Sequence, residues 1–134
     1  MDTSPIYIDM CREAKELQIS HMTYEAGDCY CKGLNDNYQH PNIEIIPDKV
    51  VGQARSVDNL VVWLPRQDQL QKLVGDYYHQ VEIIRGYLIR GSFSDLLPGL
   101  ADDKLKSMEQ LWLTLIMKNQ YHKIWNGERW VKDK

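Results

Sequence analysis

The stretch from Ser107 to Val131 constrains the fold of this chain more than any other. Ser107 and Gln110 have the spacing of a capping box, which predicts that a helix begins at Met108. The helix is expected to run over 108–121, and its apolar positions are broad enough for contacts on two sides. Asn126-Gly127 then lies between apolar segments and predicts a hairpin with a type I′ turn, because these residues readily adopt positive φ. The rest of the chain is expected to pack around this element.

The segments before Ser107 predict helices and a small sheet. Ser4-Pro5 is a helix start, with serine as the N-cap and proline in the first turn, and predicts a helix over 5–18. Pro65 and Asp76 begin two further predicted helices, over 66–74 and 77–90, with Gly75 ending the first of them. Short segments rich in β-branched and apolar residues predict antiparallel strands at 29–31, 43–46 and 59–64, with a brief further one at 50–51. Residues 91–103 are expected to form a connection.

The length and composition favour one folded domain. A chain of 134 residues buries roughly 68% of its unfolded surface, so we predict a single α+β domain over 1–134, with about four helices. No apolar run approaches the roughly 20 residues that span a bilayer, so no membrane partner is expected. Met1-Asp-Thr-Ser-Pro5 carries no basic region followed by an apolar stretch, which predicts a cytoplasmic protein with reduced thiols.

The charge is unevenly distributed along the chain. The net charge is -3, and residues 104–134 hold seven Lys/Arg against three Asp/Glu, which is +4 and leaves -7 for residues 1–103. A basic segment of this size attracts phosphate groups. It lacks the dense clustering of Lys and Arg that is typical of a duplex-binding surface, so double-stranded nucleic acid is not an expected partner.

No motif predicts a metal site, a cofactor or an enzymatic reaction. Cys11, Cys29, Cys31, His21 and His40 are metal-ligand types, but no C-x₂-C pair completes a zinc site, and free thiols are the better interpretation. The chain has no Gly-rich phosphate loop, no His-Glu-x-x-His and no Gly-x-Ser-x-Gly. The sequence therefore predicts a binding protein without a cofactor, and not an enzyme.

Arginine, aromatic and amide side chains are the candidate ligand contacts. Asn119 is predicted on the inward face of the last helix, where its amide needs partners; it bonds to a loop carbonyl, caps near the helix end, or contacts a ligand. Arginines beside aromatic rings are suited to stack on a base and clamp a phosphate, although each arginine alone is better explained by solvation or a salt bridge. The predicted ligand-binding residues are Arg55, Trp63, Arg66, Phe93, Asn119 and Arg129.

Three blocks carry a resemblance to a group of known proteins. Residues 63–71 (WLPRQDQLQ), 107–112 (SMEQLW) and 125–130 (WNGERW) are similar to blocks in small uncharacterised proteins encoded by phages and prophages. Residues 8–14 and Gly27-Asp28 are similar too, so the resemblance spans most of the chain. Residues 32–58 are the variable part, where some relatives carry more cysteines.

The resemblance implies a genomic context and no established activity. Phage accessory proteins of this size are commonly binders, which include inhibitors and sponges that act against host defence. We therefore expect a non-enzymatic accessory protein of the host cytoplasm that sequesters a small anionic nucleotide signal, with a homo-oligomer interface as one place for the pocket. The alternative is a protein-binding inhibitor, for example of a host defence protein, or a structural or assembly protein, with exposed Trp, Tyr and Met side chains at the interface.

Overall fold

A computed structural model describes residues 1–32, 42–46, 51–54, 61–90 and 107–133 of the chain. These residues form helices, a three-stranded antiparallel sheet and a two-stranded hairpin, so the predicted α+β class is confirmed. The chain divides into two compact units, Met1–Arg66 and Gln67–Lys134. The single domain over 1–134 stays a prediction.

The first unit opens with two short helices, α1 (Pro5–Glu13) and α2 (Lys15–Ser20). The Ser4 hydroxyl accepts the Tyr7 amide, as the predicted N-cap requires. The prediction of one helix over 5–18 is wrong, because the backbone turns at Ala14, where ψ is 68°. The Cys11 carbonyl accepts the Ala14 amide at 3.2 Å and the Gln18 side chain at 3.1 Å, which satisfies it without a continuous helix.

The three strands of the first unit are β1 (Cys29–Lys32), β2 (Asn42–Ile45) and β3 (Val61–Trp63). They are ordered β2-β1-β3 and both pairs are antiparallel, with Cys31 opposite Ile43 and Val62. The strands predicted at 29–31, 43–46 and 59–64 are present, although Ile46 and Leu64 lie outside β2 and β3. Residues 50, 59 and 60 are not among the described residues. Val51 is in a turn and not in the further strand that was expected.

A buried glutamine connects the helices of this unit to the sheet. The Gln18 side chain accepts the Trp63 amide at 2.9 Å and donates to the Trp63 carbonyl at 2.9 Å. The Tyr7 hydroxyl donates to the Pro65 carbonyl at 2.7 Å. Because buried polar groups need partners, these bonds fix the position of the two helices along the backbone of β3 and of the residues that follow it.

The second unit contains α3 (Gln67–Val74), α4 (Tyr77–Arg90) and α5 (Met108–Tyr121), so the three predicted helices are confirmed. The Asp76 carboxylate accepts the His79 amide, and the Ser107 hydroxyl accepts the Gln110 amide, as predicted for the starts of α4 and α5. Gly75 ends α3 with φ +122°, a conformation that favours glycine. No helix in the described ranges is long and apolar enough to cross a membrane.

Helix α5 is the core element of this unit. Six consecutive residues from Trp112 to Met117 are buried, and α5 packs against α3. Thr114 is polar but buried, and its hydroxyl donates to the Leu111 carbonyl at 2.7 Å. A helix that is buried around its circumference cannot be described by one apolar stripe, which is why the sequence pattern was broad.

The chain ends in the hairpin of β4 (Lys123–Trp125) and β5 (Trp130–Lys132). The hairpin is confirmed but the type I′ turn is wrong, because Trp125 pairs with Trp130 and leaves a four-residue loop. The Asn126 side chain accepts the Glu128 and Arg129 amides at 3.0 and 2.9 Å, and Gly127 alone in the loop has a positive φ. The asparagine thus closes the loop by hydrogen bonding and not by a left-handed backbone.

Candidate functional site

Trp63 and Arg66 lie in the first unit but do not form an open stacking pocket. Trp63 is 2% exposed, and its ring stacks on His21 with centroids 3.8 Å apart and planes at 13°. One face of the indole is therefore covered by protein. The Arg66 guanidinium donates to the Gly27 carbonyl. Arg55, the third predicted contact before residue 67, lies outside the described residues.

Asn119 and Arg129 belong to the second unit, and both are exposed. The prediction that Asn119 faces inward is wrong, because the buried part of α5 stops at Met117 and the last turn emerges into solvent. The Asn119 amide donates to the Leu115 carbonyl at 2.8 Å, which is a bond within α5 and not one to a loop carbonyl. Arg129 lies in the hairpin loop. Phe93 lies outside the described residues.

The cysteines are free and buried. Burial raises the pKa of the Cys11 thiol far above its ordinary value, and burial also raises the pKa of Cys29 and of Cys31. The thiolate is the nucleophilic and metal-binding form, so these three side chains are poor nucleophiles and poor ligands at neutral pH.

A polar cluster around Asp28 is the most developed constellation of the first unit. Asp28 is fully buried, and its Oδ2 lies 2.7 Å from Nε2 of His21. The same oxygen accepts the Glu25 amide at 2.8 Å and lies 3.4 Å from the Tyr30 hydroxyl, which donates to it. An ionised carboxylate is stable in the interior only with such partners.

Backbone pairing holds the loop that carries this cluster, which runs from His21 to Asp28. The Asp28 amide donates to the Glu25 carbonyl at 3.1 Å, and Gly27 has the φ of +79° that such a tight turn requires. The Ile46 amide donates to the Asp28 carbonyl at 2.9 Å. Tyr24 exchanges backbone bonds with residues 52 and 53. The carboxylate is therefore positioned from several sides.

His21, Glu25 and Asp28 together offer one imidazole nitrogen and two carboxylates. Their ligand atoms lie within 4.8 Å of one another, which makes them a group of metal-ligand type among the described residues. An imidazole oriented by a carboxylate also serves as a base or a ligand in proteins. We name His21, Glu25 and Asp28 the HED cluster.

The sequence interpretation missed the HED cluster. His21 was considered only together with cysteines, and Asp28 only in the resemblance of Gly27-Asp28 to phage-encoded proteins. The spacing His-x₃-Glu-x₂-Asp is not a recognised motif, and its residues meet because the loop turns at Gly27. The sequence signal that points to the cluster is a histidine within a few residues of acidic side chains in a short loop.

Comparison with protein-family models, with curated proteins and with solved structures gives no match to this chain.

Proposed function

We propose that this chain is a non-enzymatic accessory protein of phage origin that acts in the bacterial cytoplasm by binding a host protein, for which a defence protein is the leading candidate. The phage origin rests on the resemblance of the three sequence blocks. The observation that carries the protein-binding mode is an exposed face of α4 that presents aromatic and apolar side chains to solvent.

This face, which we name the α4 face, consists of Tyr78, Val81, Glu82 and Arg85. Val81, Glu82 and Arg85 follow Tyr78 by three, four and seven residues, so the four side chains lie on one side of the helix. Tyr78 is 74% exposed and Val81 is 43% exposed. Tyrosine and arginine are enriched among the residues that dominate binding energy at protein interfaces, which supports a protein partner for this face.

The charges of the α4 face add specificity to its apolar centre. Glu82 and Arg85 form an exposed ion pair with N and O atoms 3.6 Å apart. An exposed pair of this kind contributes little to stability, so both side chains are available to a partner at small cost. A partner with an apolar centre and charges of both signs at its edge would complement this face.

Sequestration of an anionic nucleotide is the second version of the proposal. It is supported by Arg129, which is exposed within the segment 104–134 that carries +4. The predicted aromatic contact Trp63 is 2% exposed, and one face of its ring is covered by His21. The protein-binding version therefore ranks first.

Photo-crosslinking in bacterial cells tests the protein-binding version. A photoreactive phenylalanine analogue is placed at Tyr78, and at Ile45 in a matched control chain, since Ile45 is also strongly exposed, at 69%. We expect a discrete crosslinked protein at position 78 that is absent at position 45. Excess unmodified chain should compete for it, and the Arg85→Glu substitution should remove it.

Identical crosslinks at positions 78 and 45, or no crosslink at position 78 in bacterial cells, would contradict the α4 face as the binding site. Crosslinks at 78 that Arg85→Glu leaves unchanged would show non-specific contact.

Thermal unfolding in the presence of nucleotides tests the second version. Cyclic and linear nucleotides are added to the wild-type chain and to Arg129→Gln, with Arg85→Gln as the control for the loss of an exposed arginine. A ligand at 100 times its Kd stabilises the folded chain by about 2.7 kcal/mol. A shift that only Arg129→Gln abolishes would put the nucleotide version first, and the absence of any shift would remove it.

A further inference from the structure

We infer that the HED cluster is a binding site for a divalent transition-metal ion of the zinc type, with His21 Nε2 and the carboxylates of Glu25 and Asp28 as ligands. The donor set is mixed, with one imidazole and two carboxylates, and its ligand atoms lie within 4.8 Å of one another. Imidazole nitrogen and carboxylate oxygen are both zinc ligands, and open zinc sites use three protein ligands with water in the fourth position. The site belongs to the first unit and is independent of the α4 face.

The burial of Asp28 supports the assignment. Its carboxylate is fully buried and lies 2.7 Å from the imidazole nitrogen. A buried negative charge requires a positive partner, and either a proton or a metal ion between Nε2 and Oδ2 supplies one. With a neutral imidazole, the HED cluster carries -2; Arg66, whose guanidinium donates to the Gly27 carbonyl beside Asp28, reduces the local sum to -1. A divalent cation therefore meets a site of opposite charge.

The surroundings hold the ligands as the outer shell of a metal site does. The His21 ring is stacked on Trp63, which fixes its plane. The Tyr30 hydroxyl and the Glu25 amide both donate to the Asp28 carboxylate, which fixes its orientation. Groups of this kind orient metal ligands, and their loss typically weakens metal binding about 10- to 100-fold.

Small movements are sufficient for the ion to enter. Zinc lies about 2.0–2.2 Å from imidazole nitrogen and carboxylate oxygen, so tetrahedral binding needs the two atoms roughly 3.3 Å apart. Their separation of 2.7 Å has to increase by about 0.6 Å. Glu25 is exposed, so its side chain is able to close over an ion that arrives from solvent.

Metal binding displaces the hydrogen that Nε2 shares with the carboxylate. When the imidazole is the cation, this proton leaves to solvent; when the imidazole is neutral, the proton moves to Nδ1 and Nε2 donates its lone pair to the ion.

The test uses the full chain after treatment with a chelator. Zn²⁺ alone is titrated by calorimetry and Co²⁺ alone by visible absorption, for wild type, for Glu25→Gln and for Glu128→Gln. Glu25 and Glu128 are both exposed, and Glu128 lies in the hairpin of the other unit, so it is the matched control. We expect one saturable site per chain, affinity reduced at least about tenfold by Glu25→Gln, and no change with Glu128→Gln.

Nuclear magnetic resonance of the histidine rings identifies the ligand directly. Of the four histidines, we expect Zn²⁺ to shift the ring signals of His21 and to leave those of His79 and His122 in place. The absence of saturable binding, equal affinity of Glu25→Gln and wild type, or a shift confined to another histidine would overturn the site. A thiolate-to-cobalt charge-transfer band would overturn it too, because it would assign the ion to cysteine.

Discussion

At the scale of single residues, the first unit is organised by buried polar side chains. Gln18 and Asp28 are both buried, and each collects several hydrogen bonds from elements that are distant in sequence or from its own loop. Such groups add modest net stability when they are satisfied and cost much more when one partner is removed. They are therefore the positions where a single substitution should have the largest effect.

Gln18→Met tests this for the helix–sheet connection. Methionine has a similar volume but leaves the amide and carbonyl of Trp63 without the glutamine, so we expect a loss of about 2–4 kcal/mol in the free energy of unfolding. Gln120→Met is the control, because the Gln120 amide makes an exposed bond to the Leu73 carbonyl, and it should cost less than about 1 kcal/mol. Chemical denaturation of the two variants compares them, and equal losses would contradict the assigned role of Gln18.

The buried thiols predict a loss of stability at high pH. Burial raises the pKa of Cys11 above its ordinary value of 9.0, so in the folded state the thiol keeps its proton when the unfolded chain has lost it. The stabilisation is complete below that ordinary value and decreases as the pH rises above it. One such thiol contributes a slope of up to about 1.4 kcal/mol per pH unit.

Denaturation of wild type and Cys11→Ala between pH 8 and pH 10.5 measures this effect. We expect the free energy of unfolding to fall less steeply with pH in Cys11→Ala than in wild type. If the Cys11 thiol were exposed in the folded chain, its pKa would be the same in the folded and unfolded states, and the two proteins would have equal slopes. Identical slopes would therefore contradict the burial of Cys11.

At the scale of elements, the helix and strand boundaries follow from local chemistry. The residues that end the helices are of different types. α3 ends on a glycine with positive φ, whereas α5 ends on His122, which adopts a left-handed conformation with φ 55°. The His122 amide donates to the Lys118 carbonyl at 3.2 Å, and its carbonyl accepts the Asp133 amide at 2.7 Å. These bonds hold a non-glycine residue in a conformation that is disfavoured for side chains with a Cβ atom.

His122→Gly should therefore stabilise the chain by about 0.5–1 kcal/mol, because glycine adopts this conformation without steric cost. His79→Gly is the control: His79 lies within α4, where glycine costs about 1 kcal/mol relative to good helix formers. We expect His122→Gly to raise the thermal unfolding temperature and His79→Gly to lower it. A lower temperature for His122→Gly would show that the imidazole stabilises the fold by more than its backbone conformation costs.

At the scale of the whole molecule, the charge differs between the two units. Residues 1–66 contain six Lys/Arg and ten Asp/Glu, a net charge of -4, whereas residues 67–134 contain ten and nine, a net charge of +1. The acidic unit carries the HED cluster and the more basic unit carries the α4 face and Arg129. The proposed cation and protein-partner sites thus lie in units of different charge.

Hydrogen exchange tests whether 1–134 behaves as the single domain that the length predicts. If it does, the slowest amides of β1 and of α5 should open with the same free energy and respond equally to denaturant, because both would exchange only through global unfolding. Distinct opening free energies, or unequal dependence on denaturant, would show that the two units unfold separately.

The sequence by itself determined the elements whose signals are local. Ser4, Asp76 and Ser107 act as N-caps within a few residues of their partners, and Gly75 ends a helix by its own conformational freedom. Caps and turns depend on neighbouring backbone atoms, so their chemistry is readable from a short segment. The α+β class follows from the sum of such segments.

Only the tertiary structure decided which side chains meet. Trp63 stacks on His21, 42 positions earlier in the chain, and no sequence signal pointed to this contact. Asn119 was predicted to face inward but lies beyond the buried part of α5. The HED cluster exists because the turn at Gly27 returns Asp28 to His21. Burial and proximity depend on packing between segments, and no single segment contains that information.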